Sequence, residues 1–289
     1  MKSSFGISSP PAVKFPEITF PTPHILLVTL NRPRSLNCVN TDGHYELEEL
    51  FKWFDDEPQL RCAVLTGAGR AFCAGADLKE WDQRNEKRAR GELDERPRLP
   101  PSGFGGVGRR RGKKPIIGAV NGMALGGGFE IASAMDMVIA ARSAQFALPE
   151  VKRGVGALSG LLPRLHMMLG KQRALEMALT GRNLTAQEGE RWGFVSAIVD
   201  DAAPEEDVIK RPVVQKALEY AECIANNSPD SVIVIRDAIM SVWYEGNVDT
   251  AHDEAHDKWA KKLDEGENIK EGVKAFVEKR APRWVNSKF

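Results

Sequence analysis

The chain has 289 residues, no formal net charge and no apolar run of membrane-spanning length. A neutral chain has no general attraction to nucleic acid or to an acidic membrane surface, and a chain of this length buries roughly 75% of the surface its unfolded form exposes. The four cysteines, Cys38, Cys62, Cys73 and Cys223, show no CxxC spacing. Free thiols in a reducing compartment are therefore expected rather than a disulfide framework.

Residues 1–22 are rich in Ser and Pro and read as an N-terminal extension; they lack the apolar core of a secretory signal and the Arg-rich pattern of a transit peptide. His24 to Leu30 reads as a strand. Asn40 is placed to cap a helix from Thr41 to about Phe54, with Leu47, Leu50, Phe51 and Phe54 on one apolar face. Cys62 to Leu65 is the next strand. It runs into a stretch in which Ala74, Gly75 and Ala76 expose backbone N–H groups, and Asp77 is a good cap for a helix from Leu78 to about Arg88. From Gly91 to Lys114 the composition shifts to Pro, Gly and Arg, which predicts a long mobile loop beside the site.

Pro115 to Val120 reads as a strand, followed by Gly122-Met-Ala-Leu-Gly126-Gly127-Gly128-Phe129-Glu130 and the apolar run from Ile131 to Met135. This is strand, tight turn, helix. The first N–H groups of a helix have no intrahelical partner, and the helix dipole makes that end positive. Glycines there let an oxygen approach the backbone, one turn from the carboxylate of Glu130. The pattern predicts an anion-stabilising catalytic site.

Met137 to Ala140 and Val195 to Val199 read as further strands. Helices are expected over Ser159–Leu169, Lys171–Leu179, Ala186–Trp192 (capped by Thr185), Val208–Asn226, Ser231–Trp243, Val248–Leu263 and Asn268–Arg280. Strand–helix units first and helices afterwards suggest a sheet-containing α/β core over 23–207 and a helical region over 208–289.

Five segments, in order, make the chain resemble the enoyl-CoA hydratase/isomerase (crotonase) superfamily. They are Leu30-Asn-Arg-Pro33 with Leu36-Asn-Cys-Val-Asn40, Phe72-Cys-Ala-Gly-Ala-Asp-Leu-Lys79, Asn121 to Glu130, Phe146-Ala-Leu-Pro-Glu150, and Glu271-Gly-Val-Lys-Ala-Phe-Val-Glu-Lys279. The resemblance implies a spiral of ββα turns with C-terminal helices that make trimer contacts, in a homotrimer or hexamer. It implies that Glu130 and Glu150 jointly hold a water over a substrate double bond, and that the N–H groups of Ala76 and Gly127 grip a thioester oxygen. It places Arg32, Ala74, Asp77, Leu78 and Lys79 near coenzyme A, with Phe276 and Lys279 completing the nucleotide site, in some relatives from a neighbouring subunit. The coenzyme is part of the substrate, so no separate cofactor is expected.

Two close carboxylates cannot both ionise freely, so the pair is expected to supply both an acid and a base. The favoured reaction is addition of water to a 2-enoyl-CoA, or its reverse. The rivals are a double-bond isomerase or specialised acyl-CoA dehydratase, and a catalytically silent or RNA-binding family member. Gly154-Val-Gly-Ala-Leu-Ser-Gly160 and the bulky Phe129 depart from the family pattern and are expected near the acyl pocket; Cys38 stands where Ala is usual. The basic run Arg109–Lys114 reads chiefly as a solvated loop, and binding of nucleic acid is not expected. His252 and His256 stand at i, i+4 without a third metal ligand, and Gly67-Ala-Gly69-Arg-Ala-Phe72 lacks the third glycine of a dinucleotide fingerprint. The final Ser287-Lys288-Phe289 is similar to the Ser-Lys-Leu peroxisomal address, so the location is expected to be cytoplasmic or peroxisomal.

Overall fold

The computed structural model describes residues 8–92 and 96–289. Part of the expected loop, residues 93–95, and the first seven residues of the chain lie outside that description.

Two sheets carry the fold. The larger has strand order β1 (Pro16–Thr22), β2 (Ile25–Leu30), β3 (Cys62–Gly67), β5 (Ile116–Val120), β7 (Met137–Ala141), β10 (Ala197–Val199). It is parallel throughout except for the β1–β2 pair. The smaller sheet orders β4 (Ala71–Cys73), β6 (Met123–Leu125), β8 (Gln145–Ala147) and β9 (Asn183–Thr185). Each turn of the chain gives one strand to each sheet. Thus β3 and β4 lead to α2 (Leu78–Ala89), and β5 and β6 lead to α3 (Gly127–Ser133). Turns stack because β3 pairs with β5 and β5 with β7, while β4 pairs with β6 and β6 with β8. This is the expected spiral of ββα units.

Strand periodicity divides the core in two. Leu26, Val28, Leu30, Ala63, Leu65, Val138 and Ala140 face the main core, which also holds α1 (Thr41–Asp56) and the second sheet. Ile25, Leu27, Cys62, Val64, Ile117, Ala119 and Ile139 face the opposite side, where α7 (Pro212–Ala225) covers them with Val213, Val214, Ala217 and Ala221. A strand buried on both faces reads as a continuous apolar run, which is why β2, β3 and β5 were legible.

Helices follow the second sheet: α4 (Leu161–Leu169), α5 (Lys171–Thr180), α6 (Ala186–Arg191), and, after α7, α8 (Pro229–Glu245), α9 (Val248–Glu265) and α10 (Glu267–Val277). Asn40 accepts from the Gly43 N–H as the α1 cap, and Thr185 forms a capping box with Glu188. Two expectations change. Residues 16–22 of the N-terminal extension form edge strand β1, and Phe15 just before it is buried in the core. The stretch expected as a mobile loop contains core residues: Phe104 and Val107 are buried, and Gly105 donates to His44 Nδ1 at 3.0 Å.

Candidate active site

The site forms where two turns of the spiral end side by side. After β4 the chain passes through Ala74–Ala76, held by Ala74 N–H to Leu36 O and Val39 N–H to Gly75 O, both 2.9 Å. Gly75 has φ 98°, a left-handed conformation that favours glycine, and a Cβ there would lie 3.2 Å from the Gly127 nitrogen. The Ala76 and Gly127 regions therefore abut. Among the described residues, neither the Ala76 nor the Gly127 N–H donates a hydrogen bond. Gly127 is the first residue of α3, where an unpaired N–H is expected.

Glu130 lies one turn into α3 and is 3% exposed, and its Oε1 has no hydrogen-bond partner among the described residues. Burial raises its pKa to about 7 against the pull of the Leu161 amide, and the charge of Glu150 adds to the rise. Glu150 stands in a short 3-10 turn, Pro149–Arg153. A Cβ on Gly126 would meet Glu150 Oε1 at 3.0 Å, so this carboxyl reaches the entry to α3. Its Oε2 is buried without a partner among the described residues, and burial raises its pKa also. The four residues singled out by sequence, Ala76, Gly127, Glu130 and Glu150, thus converge at one helix N-terminus. Two unbonded amides and two carboxyls whose pKa values burial raises suit a reaction that moves protons beside a developing negative oxygen.

The residues expected to hold a coenzyme separate into two groups. Arg32 donates to Cys38 O and pairs with Asp77 at 2.9 Å, while Asp77 caps α2 by accepting from Lys79 and Glu80. Ala74, Leu78 and Lys79 adjoin them, with Leu78 and Lys79 exposed. These five therefore lie together beside Ala76. Phe276 and Lys279 sit at the end of α10, exposed. Asn268 of that helix bonds Asp230 of α8, and no hydrogen bond among the described residues joins α10 to the α2 group.

Two other expectations are corrected, and the C-terminus adds a finding of its own. Phe129 does not face the site: it is fully buried against Phe146 and Phe194, with ring centroids 5.6 and 5.2 Å away. Successive residues on a helix point about 100° apart, so Phe129 leaves the face that its neighbour Glu130 takes. The run Arg109–Lys114 is not simply a solvated loop. Arg110 pairs with Asp55, Arg111 stacks on Tyr244, and buried Lys114 donates to Phe54 O and Glu57 O. Burial lowers the Lys114 pKa to about 8. The C-terminal tail is docked: Lys113 Nζ donates to Phe289 O at 2.6 Å, Phe289 packs on Trp259, and Lys288 pairs with Glu267.

Sequence reasoning missed Phe104, His44 and Ser159. The Phe104 ring occupies the space where a Gly127 side chain would go, and His44 meets that ring edge-on at 4.4 Å. Burial, aided by the charge of Arg98, lowers the His44 pKa to about 3 and keeps it neutral. The Ser159 hydroxyl favours the ionised form of Glu130, so part of the divergent 154–160 segment does border the site. The aperiodic, Gly-rich run around Phe104 gave little signal of a core role.

Comparison with known proteins identifies the family. A family model described as enoyl-CoA hydratase/isomerase matches residues 22–287. The chain belongs to that family. It is 52% identical over 284 residues to the mevalonyl-coenzyme A hydratase of Beauveria bassiana, covering 96% of this chain and 98% of that one. It is 37% identical over 265 residues to a carnitinyl-CoA dehydratase of Escherichia coli, covering 90% and 94%. The crystal structure of an enoyl-CoA hydratase from Mycobacterium tuberculosis superposes with a TM-score of 0.80 at 34% identity, covering 94% of this chain and 99% of that chain. Among the described residues no helix is long and apolar enough to cross a membrane.

Proposed function

We propose that this chain is a hydro-lyase of coenzyme A thioesters, interconverting a 2-enoyl-CoA and a 3-hydroxyacyl-CoA, and that its acyl chain is the branched, hydroxylated one of mevalonyl-CoA. The carrying observation is the convergence of Glu130 and Glu150, each with a buried unpartnered oxygen, on the unbonded amides of Ala76 and Gly127. The 52% identity to a mevalonyl-coenzyme A hydratase supports the choice of acyl chain.

In this reading the thioester oxygen lies between the Ala76 and Gly127 N–H groups. As water adds to the β-carbon, negative charge moves onto that oxygen and the two amides stabilise it; one such donor is typically worth about 2.7–4 kcal/mol. The two carboxyls hold the water. The ionised one takes its proton as the C–O bond forms, and the protonated one gives a proton to the α-carbon. The reverse reaction uses the same groups with exchanged tasks. A Glu130 pKa of about 7 keeps both forms populated near neutrality. Arg32, Ala74, Asp77, Leu78 and Lys79 border the coenzyme, Asp77 by holding Arg32 and the start of α2. Phe276 and Lys279 serve a coenzyme site on a neighbouring copy, for they lie apart from the α2 group in their own.

The test is an acyl-CoA panel on purified protein, following enoyl-thioester absorbance. The dehydrated mevalonyl-CoA should be turned over with a higher kcat/KM than crotonyl-CoA. No turnover of any 2-enoyl- or 3-hydroxyacyl-CoA would overturn the reading. Turnover of a 3-enoyl-CoA without hydration would favour an isomerase.

A further inference from the structure

Between α2 and β5 stands an arginine that the reaction above does not use. The Arg98 guanidinium carbon lies 3.7 Å from the centroid of the Trp81 ring on α2. Its Nη1 is shielded from solvent and meets no acceptor among the described residues. A charged donor withdrawn from water without an acceptor is costly, so such a group is stable where a ligand completes it.

Its surroundings define that ligand. Burial and the charge of Arg84 lower the Arg98 pKa, and Glu80 and Glu130 are close enough to oppose the effect. Arg98 in turn acts on His44, which stacks on Phe104, whose ring covers Gly127. Arg98, His44, Phe104 and Glu130 thus form one neighbourhood at the start of α3. The two carboxyls, Glu80 and Glu130, already stand against the two guanidinium groups, Arg84 and Arg98, so no net charge calls for a further anion, whereas a neutral oxygen satisfies Nη1 without adding charge. The Trp81 face, a good seat for a quaternary ammonium, is occupied by the guanidinium itself.

We propose that Arg98 determines acyl-chain specificity by donating from Nη1 to a hydroxyl carried beyond the reacting carbons, while rejecting a cationic group at the same place. This rests on the thioester reading above and goes further by naming the group that reads the far end of the chain.

The probes are 3-methylpentanoyl-CoA, its 5-hydroxy form, and a saturated acyl-CoA ending in trimethylammonium. Each is titrated by calorimetry into the full-length wild type, Arg98→Met and Arg98→Lys. The wild type should bind the hydroxylated ligand about tenfold more tightly than the deoxy ligand, the usual worth of a hydrogen bond to a charged group. Arg98→Met should lose that preference, with deoxy-ligand affinity altered less than about twofold, and should bind the trimethylammonium ligand better than the wild type does. A purely structural arginine would weaken the hydroxylated and deoxy ligands alike, which would overturn the assignment. If Arg98→Met melts early, Arg98→Lys decides: it should retain only part of the preference, and full retention overturns the assignment. Wild-type binding without preference overturns the assignment alone. Failure to bind either branched ligand, or free coenzyme A, overturns the thioester reading with it.

Discussion

At the scale of single residues, the two glutamates differ from ordinary surface carboxylates by what surrounds them. Glu130→Gln and Glu150→Gln are each expected to slow hydration by about 10²–10⁴-fold, the usual worth of a positioned acid or base. The maximal rate with a 2-enoyl-CoA checks this, and near-normal hydration by Glu150→Gln would contradict the paired mechanism. Stability supplies an independent test. Between pH 4.5, the ordinary value, and about 7, native Glu130 keeps a proton that the unfolded chain has released. Wild-type stability therefore falls as pH rises through that window, by up to about 3 kcal/mol. Glu130→Gln escapes this loss, so its melting temperature relative to wild type should rise between pH 5 and pH 8. A difference that stays flat with pH would show that Glu130 is not buried in this way. Both glutamates were legible because a glycine run precedes one and a proline the other. Phe129 was misjudged because adjacency in sequence does not say which face of α3 a side chain takes, and here its partners are Phe146 and Phe194.

At the scale of elements, α3 is fixed by how closely it approaches its neighbours. A Cβ on Gly128 would fall on the Cys73 carbonyl of β4, whereas one on Gly154 would meet nothing, although φ there is 66°. Gly128→Ala should thus cost about 3 kcal/mol or more through overpacking, and Gly154→Ala only about 1–2 kcal/mol of left-handed strain. Urea unfolding of the two variants measures the contrast, and equal costs would place α3 farther from β4. Gly127→Val should abolish turnover, because its side chain must displace the Phe104 ring. Circular dichroism with an activity assay separates that outcome from unfolding, and a folded, active variant would remove Gly127 from the oxygen-binding role. Long elements with caps, such as α1 and α6, could be read from Asn40 and Thr185. The strands β4, β6, β8 and β9 could not: each has three residues, too few to show alternation. Strand β1 was hidden because prolines at 16 and 21 suit an edge strand but argue against a strand in general.

At the scale of the whole molecule, the C-terminal helices leave apolar groups uncovered. Ile235, Ile239, Val273, Phe276 and Val277 are exposed, Phe276 by 85%. A closed ring of like subunits covers such surfaces without leaving an open end. A trimer, or a dimer of trimers, is therefore expected by light scattering. A clean monomer at micromolar concentration would remove both the assembly and any contribution of Phe276 and Lys279 to a neighbouring site. The last strand, β10, ends at Val199, yet α7 beyond it covers a whole face of the larger sheet. Composition marks where strands stop; it does not show which later helix returns to pack on them.

The passage from α2 to β5 leaves one turn of the spiral and enters the next. On the way it sets Arg98 on Trp81, Phe104 over Gly127 and Gly108 beside Glu130. The strands before and after it pair directly, β3 with β5 and β4 with β6. A gene for this fold can therefore gain a new appetite by altering one stretch of codons. The amides and carboxylates of the proposed site, encoded elsewhere, pass to the descendant unchanged.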